Sequence, residues 1–361
     1  MPELLTIEGD IDEVVAHYED NGWTDGLPIV LPTEERVAAA LEYTDLDPHS
    51  SLGRIPATRA EATVHNVAVN AVMAGCKPEY LPVVISAIRG LAHPEFNTYG
   101  IQATTNPVAV LVVVNGPIAD ELGFNGKGNC LGQGFRANAT VGRAVRLCMM
   151  NIGGGAPQTM DKATQGQPGK YGMCIAENED ESPWEPFHVE RGYDRETSAV
   201  SVFSVTGTQN VLDLASRSAE GILRTFCSAA ATVGHQNVQL GGGPLIIFCP
   251  EHAQILADDG YTKQDVREFL YENCRVKISE FPPETLNGMV RHRRPRRYRS
   301  ENPDSAVPLA DSPGEINLVV AGGAGPHSVV APSFGEATMV PVNQITLKDG
   351  TPVKSVNEFR Y

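Results

Sequence analysis

Two cysteines stand just before prolines at the predicted starts of helices. Cys76 is two residues before Pro78, whereas Cys249 directly precedes Pro250 and is three residues from His252. Proline is favoured in the first turn of a helix, so both thiols should lie near a positive helix end, which stabilises a thiolate. We therefore predict Cys76 and Cys249 as catalytic nucleophiles. The alternative is that each is a small buried residue that closes a helix end.

A glycine-rich segment, residues 123–134, precedes a predicted helix over 136–150. Glycines let backbone amides turn toward a ligand, and the start of a helix attracts an anion. The spacing matches neither the dinucleotide fingerprint nor a Walker loop, so no nucleotide is indicated. We predict a site for a small anionic substrate, bound by Asn125, Asn129, Arg136, Asn138, Arg143 and Lys170. The alternative is a packed loop whose arginines pair with surface acids.

Acidic residues and a histidine follow a predicted strand over 173–176. Glu177 lies at the exit of that strand, where catalytic groups often gather. His188 and Glu190 are two residues apart in an expected extended stretch, so they should point the same way and form an acid–base pair. Glu177, Glu179 and His188 are an alternative set of ligands for a divalent metal, the one cofactor that the sequence suggests. A third interpretation is a solvated acidic loop.

These candidate residues need a framework of strands and helices to position them. Apolar, largely β-branched runs predict buried strands over 108–115, 199–205, 245–249 and 316–321. Apolar residues three or four positions apart predict helices over 61–75, 79–91, 216–232 and 262–272. We therefore predict an α/β fold with mixed sheet layers and flanking helices. The last of these strands enters a glycine-rich turn, 322–328, which offers Ser328 or His327 to a ligand.

The order of the elements repeats along the chain. A helix ending at Gly75 is followed by the strand over 108–115 and then Pro117, and the helix over 216–232 is followed by the strand over 245–249 and then Pro250. This order suggests an internal duplication. The predicted organisation is an N-terminal wrapping segment (1–60), an α/β core (61–290) with related halves (61–155 and 199–290) joined by a loop-rich insert, a linker (291–315) and a C-terminal strand and turn segment (316–361).

Composition excludes several classes of partner. The chain has 361 residues and a formal net charge of −16 at pH 7, which repels nucleic acids and anionic membranes. Its most apolar run, 107–114, is shorter than the ~20 residues of a membrane span, and the first residues lack the pattern of a signal peptide. The seven cysteines include no Cys-x-x-Cys pair, so we expect free thiols and a cytoplasmic location.

The long loops and one basic cluster suggest contacts between subunits. Loops rich in proline and glycine are tolerated when they pack against something, often a second subunit, so we expect a homo-oligomer. The cluster Arg291–Arg299 is expected to be a solvated segment or a subunit contact.

Several motifs together resemble a known family. They are Gly-Trp-Thr-Asp-Gly-Leu-Pro at 22–28, Ala-Gly-Cys-Lys-Pro-Glu-Tyr at 74–80, Arg-Ala-Asn-Ala-Thr-Val-Gly-Arg at 136–143, and Ala-Glu-Asn-Glu at 176–179 with Pro-Trp-Glu-Pro at 183–186. The chain resembles, to about residue 290, a largely uncharacterised bacterial family whose members occur beside, or joined to, a small redox-type protein with a selenocysteine- or cysteine-Gly-Ser-Cys motif. The resemblance implies a redox partner. Since this sequence has no such motif, that partner would be a separate chain.

The sequence therefore predicts an enzyme that acts on a small anionic metabolite. The Cys76 or Cys249 thiolate would be the nucleophile, and His188 with Glu177 or Glu190 would move the proton. One alternative is a metal-dependent lyase or hydrolase that uses the acids and His188. The other is a non-catalytic subunit of a redox complex.

Overall fold

The structure is a computed structural model that describes residues 5–288, 302, 304–335 and 339–360. The described helices are α1 (Ile11–Asp20), α2 (Glu34–Leu41), α3 (Val64–Ala74), α4 (Leu81–Ala92), α5 (Thr98–Gln102), α6 (Pro117–Glu121), α7 (Arg136–Asn151), α8 (Phe187–Glu190), α9 (Ala219–Ala230), α10 (Gln236–Leu240), α11 (Pro250–Asp258), α12 (Lys263–Asn273) and α13 (Pro283–Gly288). The described strands are β1 (Ser51–Ile55), β2 (Ala60–Thr63), β3 (Ala109–Asn115), β4 (Met173–Ala176), β5 (Ala199–Val205), β6 (Gln209–Leu212), β7 (Leu245–Phe248), β8 (Arg275–Lys277), β9 (Ala306–Pro308), β10 (Asn317–Val320), β11 (His327–Ala331) and β12 (Val342–Gln344).

Two four-stranded sheets form the centre of the molecule. The strand order is β4-β3-β5-β12 in the first sheet and β10-β7-β11-β6 in the second. In each sheet the first two strands run parallel, and each later strand is antiparallel to its neighbour. The two sheets therefore share one set of strand directions, but their edge strands differ in chain order, since β12 is the last strand of the first sheet and β6 is the first strand of the second.

The sheets pack face to face, with helices on both outer sides. Alternate residues of the strands, such as Leu111 and Val113 of β3 with Ile247 of β7 and Val319 of β10, form one buried cluster between the sheets. The intervening residues of the first sheet, such as Val112, pack with α3, α4 and α7. Those of the second sheet, such as Phe248, pack with α9, α11 and α12. Because successive side chains in a strand point to opposite faces, sheets covered on both sides need continuous apolar strands.

Local sequence signals explain where the principal elements begin and end. All seven residues of β3 and of β5 are buried, as their apolar sequences require. Helix α3 begins after Thr63, whose side chain accepts a hydrogen bond from the backbone N–H of Asn66. It ends at Gly75, whose φ of 87° lies in the left-handed region that favours glycine. The predicted α/β class is confirmed.

Segments near both ends of the described chain pack in the half of the molecule that contains the first sheet and its helices. Asp25 in the N-terminal segment binds Arg143 of α7 through two hydrogen bonds of 2.8 Å. Near the other end, Ile345, Val353 and Phe359 belong to the core cluster of α3, α4 and α7. The segment after residue 316 contributes to both sheets: β10 and β11 belong to the second sheet and β12 belongs to the first.

The predicted strand over 199–205 is confirmed with the same limits, and those over 108–115 and 245–249 lie within one residue of β3 and β7. The sequence did not predict the edge strand β6 or the two-stranded pairs β1–β2 and β8–β9. The cluster Arg291–Arg299 lies outside the described residues. In the described part of the chain, no helix combines the length and apolar character needed to cross a membrane.

Candidate functional site

The two sheets meet where β4 and β10 end. The backbone N–H of Asn178 donates to the carbonyl of Val320 over 2.8 Å, and the N–H of Val320 donates to Oε1 of Glu177 over 3.4 Å. The carboxyl ends of parallel strands are a common place for ligand sites in α/β proteins. We call this region, where the ends of β4 and β10 meet, the sheet junction.

The glycine-rich loop lies against the turn after β10 at the sheet junction. The N–H of Gly322 donates to the carbonyl of Gly126 over 2.8 Å, and the side-chain amide of Asn178 donates to the carbonyl of Gly322 over 3.2 Å. A Cβ added at Gly323 would lie only 2.8 Å from the Cα of Gly128. This approach of the two loops requires glycine.

Cys249 lies at the sheet junction as the N-cap of α11, as the sequence predicts. Its Sγ accepts a hydrogen bond from the backbone N–H of His252 over 3.4 Å, and its own N–H donates to Oγ of Ser328 over 2.9 Å. A Cβ added at Gly322 would lie 4.0 Å from its Cα. The thiol is therefore held at a helix start, directly behind the turn that follows β10.

Ser328 connects Cys249 to His252. Its Oγ lies 3.4 Å from Sγ of Cys249 and 2.8 Å from Nδ1 of His252. The other ring nitrogen, Nε2, lies 3.2 Å from the carbonyl of Asp213, which can only accept. Nε2 therefore carries a proton, and Nδ1 is free to accept one. Cys249, Ser328 and His252 are each 1% exposed.

This connection changes the acidity of both titratable groups. Burial raises the pKa of the Cys249 thiol, but hydrogen bonds from His252 and Ser328 outweigh burial and hold the pKa below its ordinary value. Burial lowers the pKa of His252, but its interaction with Cys249 raises the pKa overall. Opposite shifts of this kind favour a thiolate beside an imidazolium.

Cys76 differs from Cys249 despite its similar sequence setting. It is partly buried before a short 3-10 helix, Pro78–Tyr80. Burial raises the pKa of its thiol. A hydrogen bond with Thr140 and the nearby Arg136 lower the pKa by less, so that it rises to about 12. This shift opposes the expected stabilisation of a Cys76 thiolate, and the role of Cys76 as a nucleophile stays a prediction.

Two further cysteines, Cys227 and Cys274, interact with each other away from the sheet junction. Sγ of Cys274 is 3.8 Å from the carbonyl of Cys227. A hydrogen bond from Cys274 lowers the pKa of Cys227, and the same interaction raises that of Cys274. The interactions that shift these two pKa values come chiefly from the other cysteine and from burial, whereas Cys249 interacts with His252.

The acidic residues of the sheet junction surround Asn115 at the end of β3. The Nδ2 of Asn115 donates to Oε2 of Glu177 over 2.7 Å and to Oε1 of Glu179 over 2.9 Å. Burial raises the pKa of Glu177, although Lys263 and the hydrogen bonds from Phe187 and Asn115 act in the opposite direction. The Nδ1 of His188 is buried without a hydrogen-bond partner, 4.0 Å from Oε1 of Glu179. Glu177, Glu179 and His188 are thus brought together.

Glu190 does not form the predicted pair with His188. Both residues lie in the helical turn α8, not in an extended stretch, so the expectation that they point the same way is wrong. Glu190 instead accepts from Lys263 over 3.0 Å and from Arg267 over 2.7 Å. Burial raises its pKa, but Arg267 and Lys263 more than offset this and lower it overall. Glu190 therefore links α8 to α12 through these two ion pairs.

A cavity of about 450 Å³ opens at the sheet junction. Its walls include Gly126, Lys127, Glu177, Asn178 and Glu179. Lys127 is paired with Asp180 over 3.1 Å, so it does not offset the charge of the other acids. Among the residues that the structure describes, no three His, Cys, Asp or Glu side chains are grouped as metal ligands.

The residues predicted to bind an anion do not converge at the glycine-rich loop. The Nδ2 of Asn138 donates to the carbonyl of Asn125 over 2.8 Å, and the Nδ2 of Asn129 donates to the carbonyl of Gln133 over 2.8 Å. The side-chain amide of Asn125 donates to the carbonyl of Gly128 over 3.0 Å, so all three asparagines shape the loop. Arg136 donates to the carbonyl of Gly75.

Arg143 and Lys170 lie at the other end of β4. Arg143 is paired with Asp25, and Nζ of Lys170 is 2.6 Å from Oδ2 of Asp161. Asp25, Asp161 and Lys170 line a second cavity of about 1030 Å³, which the neighbouring Arg146 also lines. The structure thus separates the predicted anion-binding cations from Cys249.

The sequence did not connect Asn115, Asp213 or Ser328 with the sheet junction. Asn115 is the last residue of a buried strand, a position that does mark a strand exit. Asp213 acts on His252 through its backbone carbonyl and through the charge of its carboxylate, which raises the pKa of His252, and no local pattern marks this pairing. Ser328 was singled out by its turn, but nothing in the sequence connects it with Cys249, 79 residues away.

Comparison of the chain with protein-family models, with curated proteins and with solved structures gave no match.

Proposed function

We propose that this protein is a thiol-dependent enzyme in which Cys249 is the nucleophile and His252 is the base that activates it. The single observation that carries the proposal is the chain of contacts from Sγ of Cys249 through Oγ of Ser328 to Nδ1 of His252, at 3.4 and 2.8 Å. A nucleophile, a base and a third group that orients the base are the parts that nucleophilic catalysis requires.

Two short proton movements produce the thiolate. The thiol proton of Cys249 passes to Oγ of Ser328 as the hydroxyl proton of Ser328 passes to Nδ1 of His252. The products are a thiolate, an unchanged serine and an imidazolium whose Nε2–H donates to the carbonyl of Asp213. The N–H of His252 and the start of α11 stabilise the thiolate.

The cavity at the sheet junction is the proposed substrate site. Gly322 lies between the cavity and the thiol, since a Cβ added there would be 4.0 Å from Cβ of Cys249 and the residue is hydrogen-bonded to Gly126 and Asn178 in the cavity wall. The thiol is buried, so the turn after β10 must move before substrate reaches sulfur. The excess of carboxylates favours a neutral or cationic substrate over an anion. Glu179, beside the buried His188, is the acid–base candidate in that wall.

The proposal is tested by alkylating the native protein with iodoacetamide over a pH series and mapping each modified cysteine by mass spectrometry. Because access to the buried thiol scales its rate equally at every pH, the readout is the pH of half-maximal rate, which we expect to be lower for Cys249 than for Cys76. His252→Gln should move the Cys249 profile to higher pH, because the thiolate then loses its imidazolium partner.

Cys227→Ser is the matched control, since it removes the other cysteine whose pKa is lowered. It should leave the Cys249 profile unchanged. A pH of half-maximal rate for Cys249 that is no lower than that for Cys76, or a His252→Gln profile that matches that of the wild type, would overturn the proposal.

A further inference from the structure

The larger cavity, at the opposite end of β4 from the sheet junction, holds a concentration of buried charge. It lies between the N-terminal segment, α7 and the loop before β4, and has a volume of about 1030 Å³. The residues that matter for its chemistry are Asp25, Arg146, Asp161, Lys162, Lys170 and Tyr171. Pockets of this size bury an organic molecule and not merely an ion.

Cations outnumber carboxylates around this cavity. Oδ2 of Asp161 is shared by Arg146 at 2.8 Å and Lys170 at 2.6 Å. Oδ1 of the same carboxylate accepts from the backbone N–H of Ala163 over 3.0 Å. One carboxylate thus faces two cations, and the side chains of Arg146 and Lys170 are only 11% and 14% exposed.

The remaining charges do not correct this excess. Asp25 is already neutralised by Arg143 through two hydrogen bonds. Lys162 is exposed and adds a further positive charge, with its Nζ 2.5 Å from the carbonyl of Gln158. An unbalanced charge taken out of water is costly unless a counter-ion joins it. Burial lowers the pKa of Lys170, and Asp161 offsets this only in part.

We infer that this cavity binds a small organic acid with two negative charges, as two carboxylates or as a phosphate ester. Arg146 and Lys170 hold the anionic group, which Lys162 attracts from the cavity mouth. Guanidinium groups match carboxylate and phosphate oxygens in two-point contacts, whereas an ammonium acts as a point charge. Met150 and the exposed ring of Tyr171 line the same cavity and provide surface for the carbon skeleton of the ligand.

This site is separate from the proposed catalytic site. Lys170 precedes β4 and Glu177 follows it, and four strand residues span about 13 Å. The inference goes beyond the proposed function and does not depend on Cys249.

The test is isothermal titration calorimetry of the whole protein with inorganic phosphate in one series and succinate in another. We expect saturable binding of at least one of them, with a Kd of about 1 mM or lower, that weakens as salt is added. Preference for phosphate or for succinate distinguishes a phosphate ester from a dicarboxylic acid as the ligand.

Two lysine variants and two controls make the result specific. Lys170→Met should weaken binding at least tenfold, and Lys162→Met should weaken it less. Lys162 is exposed, so its variant keeps the test valid if Lys170→Met does not fold. Lys127→Met and Cys249→Ser should bind as the wild type does, because both positions lie at the sheet junction. Absence of saturation with both anions, or equal affinity in both lysine variants and the wild type, would overturn the inference.

Discussion

Replacing Ser328 by alanine tests the chain of contacts at Cys249 most directly. The hydroxyl accepts from the N–H of Cys249 over 2.9 Å and lies within hydrogen-bond distance of both Sγ and Nδ1 of His252. Alanine removes all three contacts and leaves the helix start, with its N–H of His252, unchanged. The experiment therefore isolates the contribution of the Ser328 hydroxyl to the stability of the Cys249 thiolate.

The expected magnitude follows from the strength of one hydrogen bond to a charged group, about 1.5–3 kcal/mol. Since a tenfold change in an equilibrium is about 1.4 kcal/mol, the ionisation constant of the Cys249 thiol should fall about 10- to 100-fold. The variant also leaves the N–H of Cys249 buried without its acceptor, which costs about 1–3 kcal/mol of folding stability.

The assay is the rate of alkylation of Cys249 against pH, read by mass spectrometry. Limited access to the thiol scales the rate equally at every pH, whereas a change in pKa moves the profile along the pH axis. Ser333→Ala is the matched control: Ser333 is also buried, and its Oγ accepts from Nδ2 of Asn237 over 2.8 Å, away from Cys249. If the Ser328→Ala and wild-type profiles coincide, the hydroxyl does not stabilise the thiolate and the proposed proton path is wrong.

Two further predictions concern stability. Arg143→Met should lower the free energy of unfolding in urea by about 3–5 kcal/mol, because Asp25 is left buried and unpaired. Arg224→Met removes an exposed ion pair with Glu220 and should change the free energy of unfolding by less than about 0.5 kcal/mol. Equal effects of the two substitutions would contradict this reasoning. Burial lowers the pKa of His235 to about 4, so at pH 5 the unfolded chain binds a proton there that the folded chain does not. His235→Asn retains a helix-capping residue and should abolish a loss of about 2 kcal/mol between pH 7 and pH 5, measured as the difference between the two urea curves.

The buried strands were predictable because their signal is local. A run such as β5 is apolar at nearly every position, and only burial on both faces accommodates such a run. Strand β6 has one buried residue among four and lies at a sheet edge. Its place depends on pairing with β11, more than 100 residues away, and no local pattern records that pairing.

The two cysteines show where local reasoning about the site ends. Both precede a proline at a helix start, yet burial raises the pKa of Cys76, whereas His252 and Ser328 lower that of Cys249. The decisive contact comes from Ser328, which only the fold brings to α11. At the corresponding place after β3 stands Gly116, where any side chain would meet the carbonyl of Thr197 at 2.2 Å. The end of β3 therefore has no room for a side chain at the place that Cys249 occupies after β7.

The place of β12 at the edge of the first sheet has a consequence for synthesis on the ribosome. Roughly 140 residues separate β5 from β12; at about 5–20 residues per second, their translation takes on the order of 10 s. During that time the edge of β5 is unpaired, and the core lacks Ile345, Val353 and Phe359. The second sheet needs only residues 209–331. It is synthesised later than most of the first sheet, yet all its strands are available before β12 is made. The nascent first half must then remain unassociated with other chains while its edge is open.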